Sequence, residues 1–177
     1  MLRNIWRNSF LVVIMTSLVG CGFHLRGADH YGELPFHTAV ITTSPGVSHE
    51  VKTALALQLH QSGIQILDTQ AADVQIVLMA TKITSTSTSS GLGDRTSELL
   101  KFTQAFKVTD LVTGKLIVGG DSVVYRDRKI NISDALASNS ELQSIRKSMS
   151  QKIARQIVER IHRALAYEQT DKAVVGQ

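Results

Sequence analysis

One side chain with reactive chemistry stands alone in the 177-residue sequence, because Cys21 is the only cysteine. It directly follows an apolar run over residues 9–19, and this run is preceded by a segment that carries Arg3 and Arg7 without an acidic residue. A basic segment followed by about 11 apolar residues is typical of a secretory signal, and it is shorter than the roughly 20 residues that span a bilayer. The sequence therefore places the thiol at the end of an export signal.

The residues just before the thiol indicate how this signal is processed. Leu18 occupies the position at which an ordinary signal peptidase site would have alanine. Residues 18–21, LVGC, are similar to a bacterial lipobox, which implies diacylglyceryl and N-acyl groups on Cys21 and a signal peptide over residues 1–20. More than one acyl chain is needed for stable anchoring. Gly22 rather than Asp after the cysteine implies the outer membrane, and a buried free cysteine in a retained signal anchor is the alternative.

Removal of the signal changes the charge of the chain. It leaves 17 Lys and Arg against 15 Asp and Glu, so the formal charge falls from +4 to +2. A nucleic-acid partner therefore has no compositional support.

No pattern in the remaining sequence predicts catalysis, a metal site or a cofactor. The six histidines show no HExxH spacing, and a metal shared by His24 and His30 would lack a third ligand. The stretch GLGDR at residues 91–95 lacks the GxGxxG spacing and is better explained as a hairpin turn. We expect no enzyme and no cofactor beyond the acyl groups.

Basic residues near the end of the predicted hairpin are the candidates for binding a phosphorylated lipid, because arginine binds phosphate in bidentate fashion. The candidates are Arg95, Lys101, Arg126, Arg128 and Lys129. A solvated sheet edge that charge protects from aggregation is the alternative. The basic residues of the last helix, among them Arg146 and Arg160, are expected to form its solvated side.

The elements that would position these cations are predicted from periodicity. A strand over 38–43 precedes a helix that begins at Ser48 and stops at Gly63, and residues 64–67 could form a minor strand. A long strand starts at Asp73, with Val74, Ile76, Leu78 and Ala80 on one face, and continues into a Ser/Thr-rich arm over 84–90.

Two strands and a helix complete the predicted fold. The strands cover residues 96–110 and 116–126, and a capping box of Ser138 and Glu141 starts a long helix with an apolar stripe from Leu142 to Leu165. This order predicts an α+β fold, with an antiparallel or mixed four-stranded sheet and two helices packed on one face. We expect a tether over 21–35, one domain over 36–168 and a flexible tail over 169–177.

Several segments together resemble the family of LPS-assembly lipoproteins called LptE. They are CGFHLRG after the signal, LP before the first strand, SGIQIL after the first helix, the turn VTDLVTGK and the long last helix. The resemblance implies a plug in the lumen of the outer-membrane β-barrel LptD, assistance in the assembly of that barrel, and binding of lipopolysaccharide (LPS). It also implies a lipid-anchored protein that faces the periplasm.

This sequence departs from the resemblance at one place. The family's basic contacts lie around the hairpin tip and before the last helix, but the stretch DALASNSE before that helix contains no base. A lipoprotein that serves as a binding or structural module of another envelope complex is the alternative function.

Overall fold

A computed structural model describes residues 34–69, 71–89, 95–131 and 135–175. In chain order the elements are β1 (Thr38–Thr43), α1 (His49–Gln61), β2 (Gln65–Ile66), β3 (Val74–Ser89), β4 (Arg95–Asp110), β5 (Leu116–Asn131) and α2 (Ala135–Val175).

The strands form one mixed sheet in the order β2-β1-β3-β4-β5. β1 pairs in parallel with both β2 and β3, while β3, β4 and β5 form an antiparallel meander. The α+β class with two helices and a mixed sheet is confirmed, but the described sheet has five strands rather than the predicted four. The fifth arises because the chain, after crossing through α1, returns beside β1, where the Gln65 amide donates to the His37 carbonyl.

Helix α1 follows its sequence signals closely. Ser48 is the N-cap, and Val51, Leu55 and Leu59 are buried. At the other end the Ile64 amide donates to the Leu59 carbonyl, and the Gly63 amide donates to the His60 carbonyl. Gly63 has a positive φ of +80°. These two bonds form a Schellman motif, so the predicted glycine stop is confirmed.

Strand β3 changes face at a β-bulge. The register passes from Leu78 opposite Phe106 to Thr81 opposite Gln104, which leaves Met79 and Ala80 opposite a single residue of β4. Ala80 is therefore exposed, contrary to the prediction that it shares a face with Leu78. Beyond the bulge the odd-numbered residues of β3 lie on the helix-covered face.

A fully buried glutamine holds the bulge together. Gln104 Nε2 donates to the carbonyls of Met79 at 2.6 Å and Ala105 at 2.9 Å, and its Oε1 accepts from the Thr81 hydroxyl at 2.7 Å. The same hydroxyl accepts from the Ser48 amide at 2.8 Å, so this chain of hydrogen bonds runs from the start of α1 through β3 to β4.

Helix α2 covers the sheet with the predicted apolar stripe. Ile145, Met149, Ile153, Ile157 and Ile161 are all buried. They pack with residues of α1 and with the alternate residues of β4, which include Phe102 and Phe106. Both helices thus lie on one face of the sheet.

The ends of α2 differ from the prediction. The helix begins at Ala135, one turn before the predicted cap at Ser138, because the strong helix formers between these positions extend it. It continues to Val175, so most of the segment predicted as a flexible tail is helical. At the other boundary of the domain Leu34, which falls in the predicted tether, is buried.

Arg160 is a structural residue rather than part of the solvated side of α2. Its guanidinium donates to the carbonyls of Asp121 at 2.8 Å and Gly119 at 3.1 Å, and it lies 5.0 Å from the centroid of the Phe106 ring. Gly120, at φ +131°, makes room for it, since a Cβ there would meet Arg160 Nη2 at 2.9 Å. The C-terminal part of α2 is thereby fastened to β5.

Candidate functional site

The predicted basic residues lie on two different faces of the sheet. β5 extends to Asn131, so residues predicted to follow the strand lie within it and alternate in direction. Arg126 pairs with Leu100 and Arg128 with Glu98, on the face that the helices cover. Lys101 pairs with Tyr125 and Lys129 with Ser97, on the opposite, open face. The predicted cations therefore do not form one cluster. Arg95 begins β4 opposite Asn131, but its side chain lies outside the described part of the structure.

Arg128 is the buried member of the predicted set, with 8% of its surface exposed. Its Nη1 lies 3.8 Å from a carboxylate oxygen of Glu98, and its Nε lies 3.9 Å from a carboxylate oxygen of Glu141 on α2. Glu98 also accepts a hydrogen bond from the Ser85 hydroxyl. Arg128 thus joins β5 to β4 and to the start of α2, and removing it would leave two carboxylates without their cation.

The open face offers exposed polar groups around one aromatic ring. Lys101 Nζ lies 5.9 Å from the centroid of the Tyr125 ring, and Tyr125 is 56% exposed. Thr84 pairs with Lys101 in the register, and both side chains are exposed. The described part of the predicted Ser/Thr-rich arm therefore presents hydroxyl groups beside a cation on a surface that the two helices leave uncovered.

A crevice on the helix-covered face lies between α2 and the far half of the sheet, which is the half beyond the bulge in β3. Its volume is about 240 Å³. Five apolar side chains line it: Ile83, Leu100, Phe102, Leu142 and Met149. Ser85, Glu98 and Arg146 supply the polar part of the lining.

Sequence reasoning missed this crevice for two reasons. The bulge in β3 brings Ile83 onto the helix-covered face, and nothing in the sequence pattern indicates that shift. Arg146 is exposed, as expected for the solvated side of the last helix, but it also lines the crevice, because it lies four residues after Leu142 and three before Met149. That spacing places all three on one face of a helix and was a readable signal.

Arg146 also lines a second depression, a groove of about 720 Å³ between α1 and α2. The α1 wall mixes polar side chains, such as Glu50 and Gln58, with the apolar Ala54 and Leu57, and the α2 wall carries Arg146, Lys147 and Arg155. A hydrogen bond from Ser48 holds the pKa of Glu50 below its ordinary value, and Arg146 adds a smaller electrostatic effect in the same direction. The groove therefore combines polar and apolar groups with the positive charge of α2.

Neither a metal centre nor a membrane-spanning helix occurs among the described residues. Within the ranges that the structure describes, no group of three or more His, Cys, Asp and Glu is placed to hold a metal ion. In the same ranges, every helix lacks an apolar stretch of membrane-spanning length. Cys21, the predicted lipidation site, lies outside the described residues. What the geometry offers is a cation beside an apolar crevice, which suits a ligand that is both anionic and apolar.

Comparison with known proteins gives a family match and a set of similar folds. A family model described as LptE, lipopolysaccharide-assembly, matches residues 35–161. The fold is similar to the crystal structure of rare lipoprotein B from Shewanella oneidensis, with 17% identity, a TM-score of 0.56, and coverage of 77% of this chain and 99% of that one. The solution structure of lipoprotein B from Nitrosomonas europaea has 19% identity and the same TM-score, with coverage of 84% and 93%. A minor lipoprotein from Acinetobacter baumannii has 17% identity and a TM-score of 0.56, with coverage of 73% and 92%.

Proposed function

Because this chain belongs to the LptE family of lipopolysaccharide-assembly lipoproteins, we propose that it binds LPS and forms a plug-and-barrel complex with LptD at the outer membrane. The observation that carries the proposal is the family match, which extends from just before β1 into α2. In this role the protein assists the assembly of the barrel and helps to deliver LPS to the outer leaflet. It acts by binding, without a catalytic step.

The proposed anchor is the acylated Cys21. The lipobox-like LVGC and the sole thiol support it, since a thioether to diacylglycerol requires a sulfur at that position. Two or more acyl chains hold a protein to a bilayer where one gives only marginal binding. The anchor would keep the domain at the periplasmic side of the outer membrane, from which it enters the barrel lumen.

The open face of the sheet supports the role of a plug. The interior of an outer-membrane barrel is polar, so a plug needs hydrogen-bonding groups over a wide surface rather than an apolar patch. Thr84, Thr86 and Lys101 are exposed on this face, and Tyr125 adds a ring with a polar hydroxyl. We propose that this face contacts the lumen wall of LptD.

We propose that LPS binds through its phosphates to the cations that remain exposed, Arg126 above all. Arg126 lies beside Leu100 on the helix-covered face, next to the crevice, and its side chain is exposed. Arg95 lies at the same end of the sheet. Lys101 and Lys129 are exposed on the other face and would meet a different part of the ligand or the barrel wall. Arg128 contributes by holding the start of α2 to the sheet.

Reversing the charge of Arg95 and Arg126 together is expected to weaken LPS binding at least tenfold, because the loss of even one charge-assisted hydrogen bond to phosphate costs roughly 1.5–3 kcal/mol. The double variant Arg95→Glu/Arg126→Glu would be compared with the parent by equilibrium binding of radiolabelled LPS at two salt concentrations. The difference should shrink at high salt, since exposed charges are screened.

The matched control is Lys52→Glu/Lys107→Glu, which makes the same change in net charge at two exposed positions, one on α1 and one near the other end of the sheet. It should bind LPS almost as the parent does. Equal binding by the Arg95/Arg126 variant and the parent would remove these two residues from the site, and an equal loss in both variants would show a nonspecific effect of net charge.

A further inference from the structure

The crevice between α2 and the far half of the sheet combines an apolar floor with an open mouth. Leu100, Phe102 and Met149 are buried at its floor, whereas Ile83 at its edge is 42% exposed. Because Ile83 lines the crevice and also contacts solvent, the crevice is open to solvent at this residue, and an apolar group can enter there without unfolding of the domain. Such a group would cover surface that now contacts water, and each buried methylene contributes roughly 0.8 kcal/mol.

The charge at the mouth favours an anion. The one acidic residue of the lining, Glu98, is already engaged by Arg128 at 3.8 Å and by the Ser85 hydroxyl. Arg146, by contrast, has no carboxylate oxygen within 4.0 Å among the residues that the structure describes. Arg146 lines both the crevice and the groove between the helices, so it lies at the boundary between the two. Arginine binds phosphate in bidentate fashion.

The volume limits how much of a ligand can be buried. A cavity of roughly 150 Å³ lined by apolar side chains accepts one benzene molecule. The crevice, at about 240 Å³, is larger than that but far too small for several hydrocarbon chains. It fits the last few carbons of a single chain.

We propose that the crevice lined by Ile83, Leu142 and Met149 binds the end of one fatty acyl chain, while Arg146 at its mouth binds a phosphate of the same ligand. The inference rests on the proposed function, because LPS carries acyl chains and phosphates on one molecule. It adds which part of the protein binds which part of the ligand. The crevice between α2 and the sheet binds the acyl chain, and α2 itself binds the headgroup through Arg146.

The test fills the crevice from its mouth and uses two ligands that differ only in their acyl chains. Ile83→Trp enlarges the side chain at the edge of the crevice. Leu99→Trp is the matched control, because Leu99 is 39% exposed, against 42% for Ile83, and lies on the open face of the same sheet. Radiolabelled lipid A with its acyl chains and the same lipid A after complete deacylation would be bound at equilibrium to the full chain, immobilised by a tag in one detergent.

Ile83→Trp is expected to weaken binding of acylated lipid A about tenfold and to leave binding of the deacylated form unchanged, whereas Leu99→Trp should alter neither. Arg146→Gln should weaken both ligands to a similar extent, and the neighbouring Lys147→Gln should have little effect on either. If Ile83→Trp fails to fold by circular dichroism, Ile83→Gln, which keeps the size and adds a polar group, should show the same selectivity for the acylated ligand.

Two results would overturn the acyl site while leaving LPS binding intact. One is unchanged binding of acylated lipid A by a folded Ile83 variant, and the other is an equal loss for both ligands. Failure of the parent chain to bind either ligand would instead contradict the proposed LPS binding itself, and the acyl site with it.

Discussion

Replacing Gln104 with alanine is expected to lower the free energy of unfolding by about 3 kcal/mol, a large share of the stability of a single domain. Gln104 is fully buried, and its amide makes hydrogen bonds to Met79, Thr81 and Ala105. Alanine would leave two carbonyls and one hydroxyl, all in part-buried hydrogen bonds, without these partners, and an unsatisfied buried polar group costs roughly 1–3 kcal/mol. Urea unfolding followed by far-ultraviolet circular dichroism would measure the change.

Two further variants separate hydrogen bonding from volume. Gln104→Leu keeps most of the side-chain volume but removes the amide, and it should be destabilised nearly as much as Gln104→Ala. Gln75→Ala changes a glutamine on β3 whose amide makes one exposed hydrogen bond, to Thr42, and it should cost less than about 1 kcal/mol. If Gln104→Leu were as stable as the parent, the bulge would not depend on this glutamine.

Replacing Cys21 with alanine is expected to abolish acylation and to release the protein from the outer membrane. The thioether requires sulfur, and two or more acyl chains are what would hold the protein stably to the bilayer. Incorporation of radiolabelled palmitate and fractionation of envelopes would measure the two effects. We expect no label in Cys21→Ala and loss of the protein from the outer-membrane fraction.

Ser17→Ala is the matched control for this experiment. It changes a neighbouring residue of the same predicted signal but keeps the thiol, so labelling and location should match those of the parent. Palmitate incorporation into Cys21→Ala at the parent's level would show that the anchor lies elsewhere.

Local patterns predicted most of the elements because each depends on residues close in sequence. The cap at Ser48, the glycine stop at Gly63 and the four-residue spacing of the stripe on α2 are all confirmed. The two long hairpins were predicted from alternating strands separated by turn residues. These features need no knowledge of the rest of the chain.

Features that depend on distant residues were missed. The bulge in β3 is held by Gln104 of the next strand, which donates to the Met79 carbonyl and accepts from the Thr81 hydroxyl. The alternation from Val74 to Leu78 was therefore extended wrongly to Ala80. Residues 65–66 were taken only as a possible minor strand, because their pairing with β1 depends on the crossover through α1. α2 starts at Ala135, one turn before the predicted capping box, because the alanine and leucine residues there are strong helix formers.

The sequence predicted which basic residues are candidates for the site but not how they are arranged on the sheet. The sequence identifies Arg126 and Arg128 as neighbouring cations, yet only the register of β4 and β5 places both on the helix-covered face and Lys101 and Lys129 on the other. Burial of Arg128 between Glu98 and Glu141 follows from the position of α2, which no local pattern specifies. The crevice required both the bulge and the helix to be in place.

Co-purification tests the central claim most directly. The tagged full-length chain would be extracted from envelopes in mild detergent and purified by its tag. The eluted proteins would then be identified and quantified by mass spectrometry. We predict a large outer-membrane β-barrel, LptD, at equal stoichiometry with this lipoprotein. Elution of the lipoprotein without that barrel, or with a different envelope complex, would contradict the account.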